Sequence, residues 1–257
     1  MASVTAKVAD TWVRPVRPMP QARLRLYCLP FAGGGMAAFQ PWGAALGPGI
    51  EVCPVRLPGR EARFKETCYR SLGPLADDLA DVIDFECRRP AARPFAIFGH
   101  SMGAVIGFEV MHRLSDRARA RAVHLIVSGR YSPPEPARET PIAHLPDDEF
   151  LRVMNERYDA IPQLVLDTPE LLAMVLRPLK ADLQLIETYR YESRPPLEVP
   201  ITAFGGREDF GVPRESLDAW GAMTRGPSKS LVFDGGHFFI HTHAPAVLQA
   251  LRAVLVK

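Results

Sequence analysis

Long apolar runs are missing from this 257-residue chain. Nothing in it approaches the ~18 uninterrupted apolar residues of a membrane span. The opening stretch MASVTAKVADTWVRPVRPMPQAR also lacks the apolar segment of a secretory signal. A cytoplasmic protein with no membrane partner is therefore expected. Cysteine is sparse: Cys28, Cys53, Cys68 and Cys87 make no C-x-x-C pair and no zinc-ligand spacing. Cys28 and Cys53 lie in apolar runs and are expected as buried free thiols. Excess charge is lacking as well, and a formal net charge of +2 argues against nucleic acid as a partner. Internal repeats and low-complexity segments are absent. What remains is a 47% hydrophobic chain, long enough for one large α/β domain with a small insertion.

Residues 1–22 carry three prolines and no periodicity, and read as a flexible tail. From residue 23 onward short apolar runs alternate with helical patterns. LRLYCLP (24–30), IEVCPVRLPGR (50–60), FAIF (95–98), VHLIVSGR (123–130), ITAFGG (201–206) and KSLVFDGG (229–236) read as strands. SLGPLADDLADVIDFEC, with Ser71 as its cap, GAVIGFEVMHRL and APAVLQALRAVLV read as helices between and after them. Strands this apolar imply a mostly parallel sheet covered by helices on both faces. Between about 135 and 195 the rhythm breaks. LPDDEFLRVMNERY and PELLAMVLRPLKADLQLIETYRY are amphipathic helices without an intervening strand, as a lid over a site would be.

One pentapeptide, GHSMG at 99–103, stands where a strand turns into a helix. A bare G-x-S-x-G is a weak signal; that context makes it specific. The turn puts Ser101 in a strained conformation with its hydroxyl exposed. Gly99 and Gly103 are required because a Cβ would meet neighbouring backbone. A serine at its free pKa is a poor nucleophile, so a base and an orienting acid must follow. In this arrangement they follow in the order acid, then histidine. Asp209 in GGREDFGVP and His237 in FDGGHFFIHTHAP each lie just beyond the C-terminal end of an apolar run.

Glu208 adjoins Asp209 but should point elsewhere, and Asp234 belongs with its strand. His241 and His243 approach the final helix. With His237 they have no spaced carboxylate or cysteine, so no metal site is expected. His100 sits inside the turn, and His112, His124 and His144 are expected to be structural or on the surface. Two backbone N–H donors must hold the oxyanion of an acyl-transfer intermediate. One is the amide of Met102; the other comes from FAGGG, with Ala32 the first choice and Phe31 its competitor. Phe31 and Gly33 are also expected to contact substrate, since three consecutive glycines allow close backbone approach.

LPFAGGG, VRLPGRE, GHSMGA, LPDDEF, PLKADLQLIETYRY, PITAFGG and GGHFFI occur in that order. Together they resemble the discrete, type II thioesterases of polyketide and non-ribosomal peptide synthesis, within the α/β-hydrolase superfamily. The resemblance begins near residue 24 and covers nearly all that follows. It implies an α/β-hydrolase fold with a mobile helical lid at about 135–195, with Ser101 as nucleophile, Asp209 as acid and His237 as base. It further implies hydrolysis of acyl groups from the phosphopantetheine arm of acyl or peptidyl carrier proteins, as an editing step, with no metal or organic cofactor. A monomer is the default expectation. Relatives often carry a second acidic residue just after the glycines of GGREDFGVP, a local departure here. RRPAAR (88–93) and RARAR (117–121) are candidate docking patches for an acidic carrier. A carboxylesterase or lipase acting on free esters, or an acyltransferase, would use the same triad. A carrier-binding protein with an idle triad is the reading from another class.

Overall fold

The apolar runs are too short for helices, and they pair as strands. These are β1 (Leu24–Leu29), β2 (Ile50–Pro54), β3 (Phe95–His100), β4 (Ala122–Ser128), β5 (Ile201–Gly206) and β6 (Ser228–Phe233). The computed structural model describes residues 4–136, 138–158, 161 and 163–256. Within them the sheet order is β2-β1-β3-β4-β5-β6, and every neighbouring pair of strands is parallel. From β1 the chain steps outward to β2, then returns to lay β3 on the other side of β1. The strand order reverses there, and the crevice between the C-terminal ends of β1 and β3 is where such sheets bind ligands.

Because side chains alternate along a strand, the sheet feeds two cores. Tyr27, Leu29, Ile97 and Val127 face one side, packed with buried residues of a helix over Leu72–Arg88 and another over Met102–Arg113. Leu26, Cys28, Phe98 and Ile126 face the other, with Trp42 and the closing helix Ala244–Leu255. Cys28 and Cys53 fall on opposite faces, and all four cysteines are free thiols. Ser71 is the N-cap residue of the Leu72–Arg88 helix, although its side chain makes no capping bond.

The N-terminal segment corrects the expectation of a flexible tail. Residues Ala6–Trp12 form a helix, α1, capped by Thr5, whose hydroxyl accepts from the Val8 N–H at 3.4 Å. Trp12 is buried against Tyr69, with the Arg63 guanidinium 4.2 Å above its ring. The chain then runs along the open edge of β2: Val13 bridges Val55 antiparallel, and the Val16 N–H donates to the Val52 carbonyl at 2.9 Å. An uncovered strand edge is a template for aggregation, so this segment protects the sheet. About two turns of helix are too short to show periodicity, which is why the sequence reads as loose.

Besides short helical turns such as Trp42–Ala45, Asp116–Arg119, Arg214–Asp218 and Phe239–Thr242, the remaining helices are α2 (Leu72–Arg88), α3 (Met102–Arg113), α4 (Asp147–Tyr158), α5 (Gln163–Leu166), α6 (Pro169–Thr188) and α7 (Ala244–Leu255). Of these, α4 to α6 form the insertion between β4 and β5, and no strand interrupts them among the described residues. They carry a small apolar core of their own from Ile142, Phe150, Met154, Ile161 and Leu179. Pro178 stands inside α6, where it removes one helical hydrogen bond. Before it Leu171 and Met174 are exposed; after it Leu179, Asp182 and Leu185 are buried.

Both basic runs precede strands, at the N-terminal edge of the sheet. Arg93 is engaged by Glu51 and by the carbonyls of Met19 and Pro20, and Arg121 by the Ala92 carbonyl. Ser101 follows the opposite end of β3, about 20 Å away at the usual rise per strand residue. These runs are therefore remote from the site; Arg88, Arg89, Arg117 and Arg119 are exposed, while Arg93 and Arg121 are engaged by the protein itself.

Candidate active site

Ser101 sits between β3 and α3 with φ 53° and ψ −113°, a conformation an L-residue rarely adopts. The reason lies in its neighbours. A Cβ on Gly99 would lie 2.0 Å from the Gly103 carbonyl oxygen, and one on Gly103 would lie 2.3 Å from that of Leu29. The two glycines let α3 start almost in contact with β1 and β3, and the turn between them can close only with Ser101 strained. Its N–H donates to the Ser128 carbonyl on β4 at 2.7 Å, which holds the turn from the other side. Met102 is the first residue of α3, where a backbone N–H has no partner within the helix.

The loops after β5 and β6 interlock. A Cβ on Gly206 would lie 2.5 Å from the carbonyl oxygens of both Gly235 and Gly236. The N–H groups of Arg207 and Glu208 donate to the Phe233 and Gly235 carbonyls at 2.7 and 3.0 Å. This contact brings Asp209 Oδ2 to 2.8 Å from His237 Nδ1, with the carboxylate side chain only 6% exposed. Glu208 points to solvent. Asp234 lies just past the end of β6 and is exposed, paired with Arg207 at 3.0 Å. Asp209 is thus the acid that reaches the imidazole.

His100 is fully buried with Nδ1 2.9 Å from Ser128 Oγ, and its ring lies 5.1 Å from that of His237. Burial and the nearby His237 and His241 hold its pKa well below the ordinary histidine value. It stays neutral and adds no charge beside His237. Elsewhere, His112 packs against Phe108, His124 bonds Thr202 at 2.8 Å, and His144 is exposed. No group of three or more metal-ligating side chains gathers among the described residues.

The glycine loop after β1 makes a tight turn. The Gly34 N–H donates back to the Phe31 carbonyl at 2.9 Å, and Gly33 has φ 75°, as the third residue of a type II turn requires. A trans peptide is planar, so the Phe31 carbonyl and the Ala32 N–H point in opposite directions. The carbonyl turns toward Gly34 and the amide turns away from it. Gly33's own N–H is taken by Asp182 at 2.8 Å. Alanine at Gly33 would be strained by its φ and would place a Cβ 3.0 Å from Leu179 Cδ1. Gly33→Ala is expected to lower kcat by about tenfold or more through loop displacement, measured under saturating substrate.

Ser101, Met102, Phe31, Ala32, Gly33 and His237 all line one cavity of about 140 Å³, roofed by side chains of the α4–α6 insertion. Asp209 stands behind His237 rather than in the lining. Tyr158 of α4 packs its ring 5.4 Å from that of His237, and burial together with Glu139 pushes its phenol pKa upward. Arg130 and Glu139 are charged members of the lining that sequence reasoning missed. It also gave no role to Arg60, Glu61 and Asp182. Asp182 had a visible signal: it sits three residues from both Leu179 and Leu185, a carboxylate on the buried stripe of a helix.

The sequence profile of the thioesterase domain family matches residues 24–255. Among curated proteins, the gramicidin S biosynthesis protein GrsT of Aneurinibacillus migulanus is 38% identical over 221 residues, spanning 86% of this chain and 84% of its own. Among solved structures, the type II thioesterase BorB from the borrelidin biosynthetic cluster superposes with a TM-score of 0.82 at 36% identity, covering 96% of this chain and 98% of its own. RedJ, a thioesterase of the prodiginine pathway in Streptomyces coelicolor, gives 0.81 at 34% identity over 93% of this chain and 88% of its own.

Proposed function

Because this chain belongs to the thioesterase domain family, we propose that it is a type II editing thioesterase with Ser101, His237 and Asp209 as its catalytic triad. It removes acyl groups from the phosphopantetheine arm of acyl or peptidyl carrier proteins in polyketide or non-ribosomal peptide synthesis. One arrangement carries the triad assignment: Ser101 on its strained turn and His237, bound to Asp209 at 2.8 Å, open onto the same cavity. GrsT, BorB and RedJ, named or titled for biosynthetic pathways, support the editing role.

The chemistry follows from the geometry. Asp209 holds the His237 ring so that its other nitrogen takes the Ser101 proton as the hydroxyl attacks the thioester carbonyl. The oxyanion is held by the amides of Met102 and Ala32, and the orientation of the Phe31–Ala32 peptide favours Ala32 over Phe31. The C–S bond breaks, the protonated imidazole gives its proton to the departing thiolate, and an acyl-Ser101 ester remains. Water then adds with His237 as base, and the acid leaves as Ser101 regains its proton. These side chains and amides carry every proton and charge, so neither a metal nor an organic cofactor is called on.

A cavity of about 140 Å³ suits short acyl units. One of ~150 Å³ holds a single benzene. No helix among the described residues is long and apolar enough to cross a membrane. Action in the cytoplasm as a monomer on carrier proteins is part of the proposal. The test compares hydrolysis of a short acyl-phosphopantetheine thioester, free and carrier-bound, with that of the matching oxygen ester. Preference for the carrier-bound thioester is expected. Equal or faster turnover of the free oxygen ester would make the protein a general esterase. Transfer to an added alcohol or amine in place of water would make it an acyltransferase.

A further inference from the structure

Three segments far apart in sequence meet at one buried ion pair. Arg60, in the loop after β2, forks onto Asp182 of α6: Nη1 donates to Oδ2 at 2.6 Å and Nη2 to Oδ1 at 2.7 Å. The side chains are 7% and 4% exposed. Both groups also grip the glycine loop. Asp182 Oδ2 accepts the Gly33 N–H at 2.8 Å, and Arg60 Nη1 donates to the Gly34 carbonyl at 2.9 Å. The neighbouring Glu61, at φ 47°, accepts the N–H groups of Met36 and Ala37 at 3.1 and 3.2 Å.

We propose that Arg60 and Asp182 are positioning residues for the reaction: they set the orientation of the Ala32 amide by clamping the Ala32–Gly33 peptide through the Gly33 N–H and the Gly34–Gly35 peptide through the Gly34 carbonyl. The inference rests on the function proposed above. Gly33 and Gly34 have no side chains to lock them, and a glycine turn on its own samples many conformations. Tying the Gly33 N–H and the Gly34 carbonyl leaves the Ala32 amide only the two torsions of Ala32 itself. The Gly34 N–H bond to the Phe31 carbonyl closes that remaining freedom. A donor to a developing oxyanion works only if it is in place before the charge forms. The clamp also explains a buried ion pair, which is otherwise a poor source of stability compared with apolar packing.

Removing either partner alone would strand a buried charge, so the test uses double variants. Arg60→Met with Asp182→Asn removes the ion pair but keeps an oxygen for the Gly33 N–H. Arg60→Met with Asp182→Leu removes both. Thermal melts establish that each is folded at the assay temperature. The Leu pair is expected to lose about 30- to 100-fold in kcat with KM changed less than about threefold, within the range for a misplaced oxyanion donor. The Asn pair keeps the acceptor for the Gly33 N–H but loses the Arg60 bond to the Gly34 carbonyl, and is expected to lose about five- to tenfold in kcat, clearly less than the Leu pair.

A second readout separates positioning from bulk structure. A trifluoromethyl ketone analogue captured by Ser101 needs the oxyanion donors, whereas a ground-state amide analogue does not. The Leu pair should weaken the ketone by at least tenfold more than the amide. Equal losses in the two folded pairs, or no loss in either, would overturn the role of Arg60 and Asp182 while wild-type turnover left the proposed function standing. A wild-type protein with no Ser101-dependent turnover of thioester would overturn both.

Discussion

Ser101→Ala is expected to lower kcat on carrier-bound thioester by on the order of 10⁴-fold or more, with little change in KM or in the melting temperature. The size follows from what is lost: the acyl-enzyme route disappears, and His237 can only assist a water held by the oxyanion donors. At 1.36 kcal/mol per decade that is about 5.5 kcal/mol of transition-state stabilisation. His237→Ala should cost a similar amount. The Ser101→Ala, His237→Ala double variant should be no worse than either single one, because the two groups act as one unit. Asp209→Asn keeps the shape but not the charge that orients the ring, and a loss of about 10²- to 10⁴-fold is expected. Steady-state kinetics on the four proteins measures this. A Ser101→Ala enzyme within tenfold of wild type would remove the serine from the reaction.

The same position supplies a stability test. Ser101 holds φ 53°, and a non-glycine residue there costs on the order of 1 kcal/mol or more. Ser101→Gly should therefore melt a few degrees above wild type while being equally inactive.

Gly103→Ala is the substitution expected to damage the fold most. Its Cβ would stand 2.3 Å from the Leu29 carbonyl oxygen and 2.8 Å from that of Pro30. These are backbone atoms of the central strand β1 and its exit, held between β2 and β3, so no side-chain rotation relieves the clash. About 3 kcal/mol of destabilisation or more is expected, at the upper end for overpacking, with a melting point lower by about 10 °C. Activity should fall further than stability, because the shift displaces Ser101 relative to His237. Gly73→Ala is the control. Nothing lies within 4 Å of its added Cβ in the first turn of α2, so alanine should be neutral or mildly stabilising. A Gly103→Ala protein as stable and active as Gly73→Ala would mean that α3 does not press on β1.

Much of the site was legible because its chemistry is written in local signals. GHSMG between an apolar run and a helical pattern announces the turn on which Ser101 sits. The loops holding Asp209 and His237 follow strands whose ends are marked by paired glycines, and those glycines turn out to be where the loops interlock. Choosing Asp209 over Glu208 and Asp234 also needed no coordinates, although only the fold exposed the reason: the two rivals face solvent.

The misreadings have a common cause. Residues 6–12 were too short a segment to show periodicity, and α1 exists because Trp12 finds a pocket beside Arg63 and Tyr69. In the two arginine-rich runs composition could not tell the exposed Arg88, Arg89, Arg117 and Arg119 from Arg93 and Arg121, which the fold turns inward.

By itself, then, the sequence determined the parallel sheet with helices on both faces, the helical insertion, and the serine, acid and histidine in their order. Each of these is set by local propensity, hydrophobic period or steric demands of the backbone, which act over a few residues. Only the tertiary structure decided the docked N-terminal helix, the charged groups that line the cavity, and the meeting of Arg60, Asp182 and the glycine loop. Those contacts join positions as much as 149 residues apart, as Gly33 and Asp182 are. A pairing of that kind has no period or motif; it exists because the fold brings two loops and α6 to one point and the buried charges must find each other there.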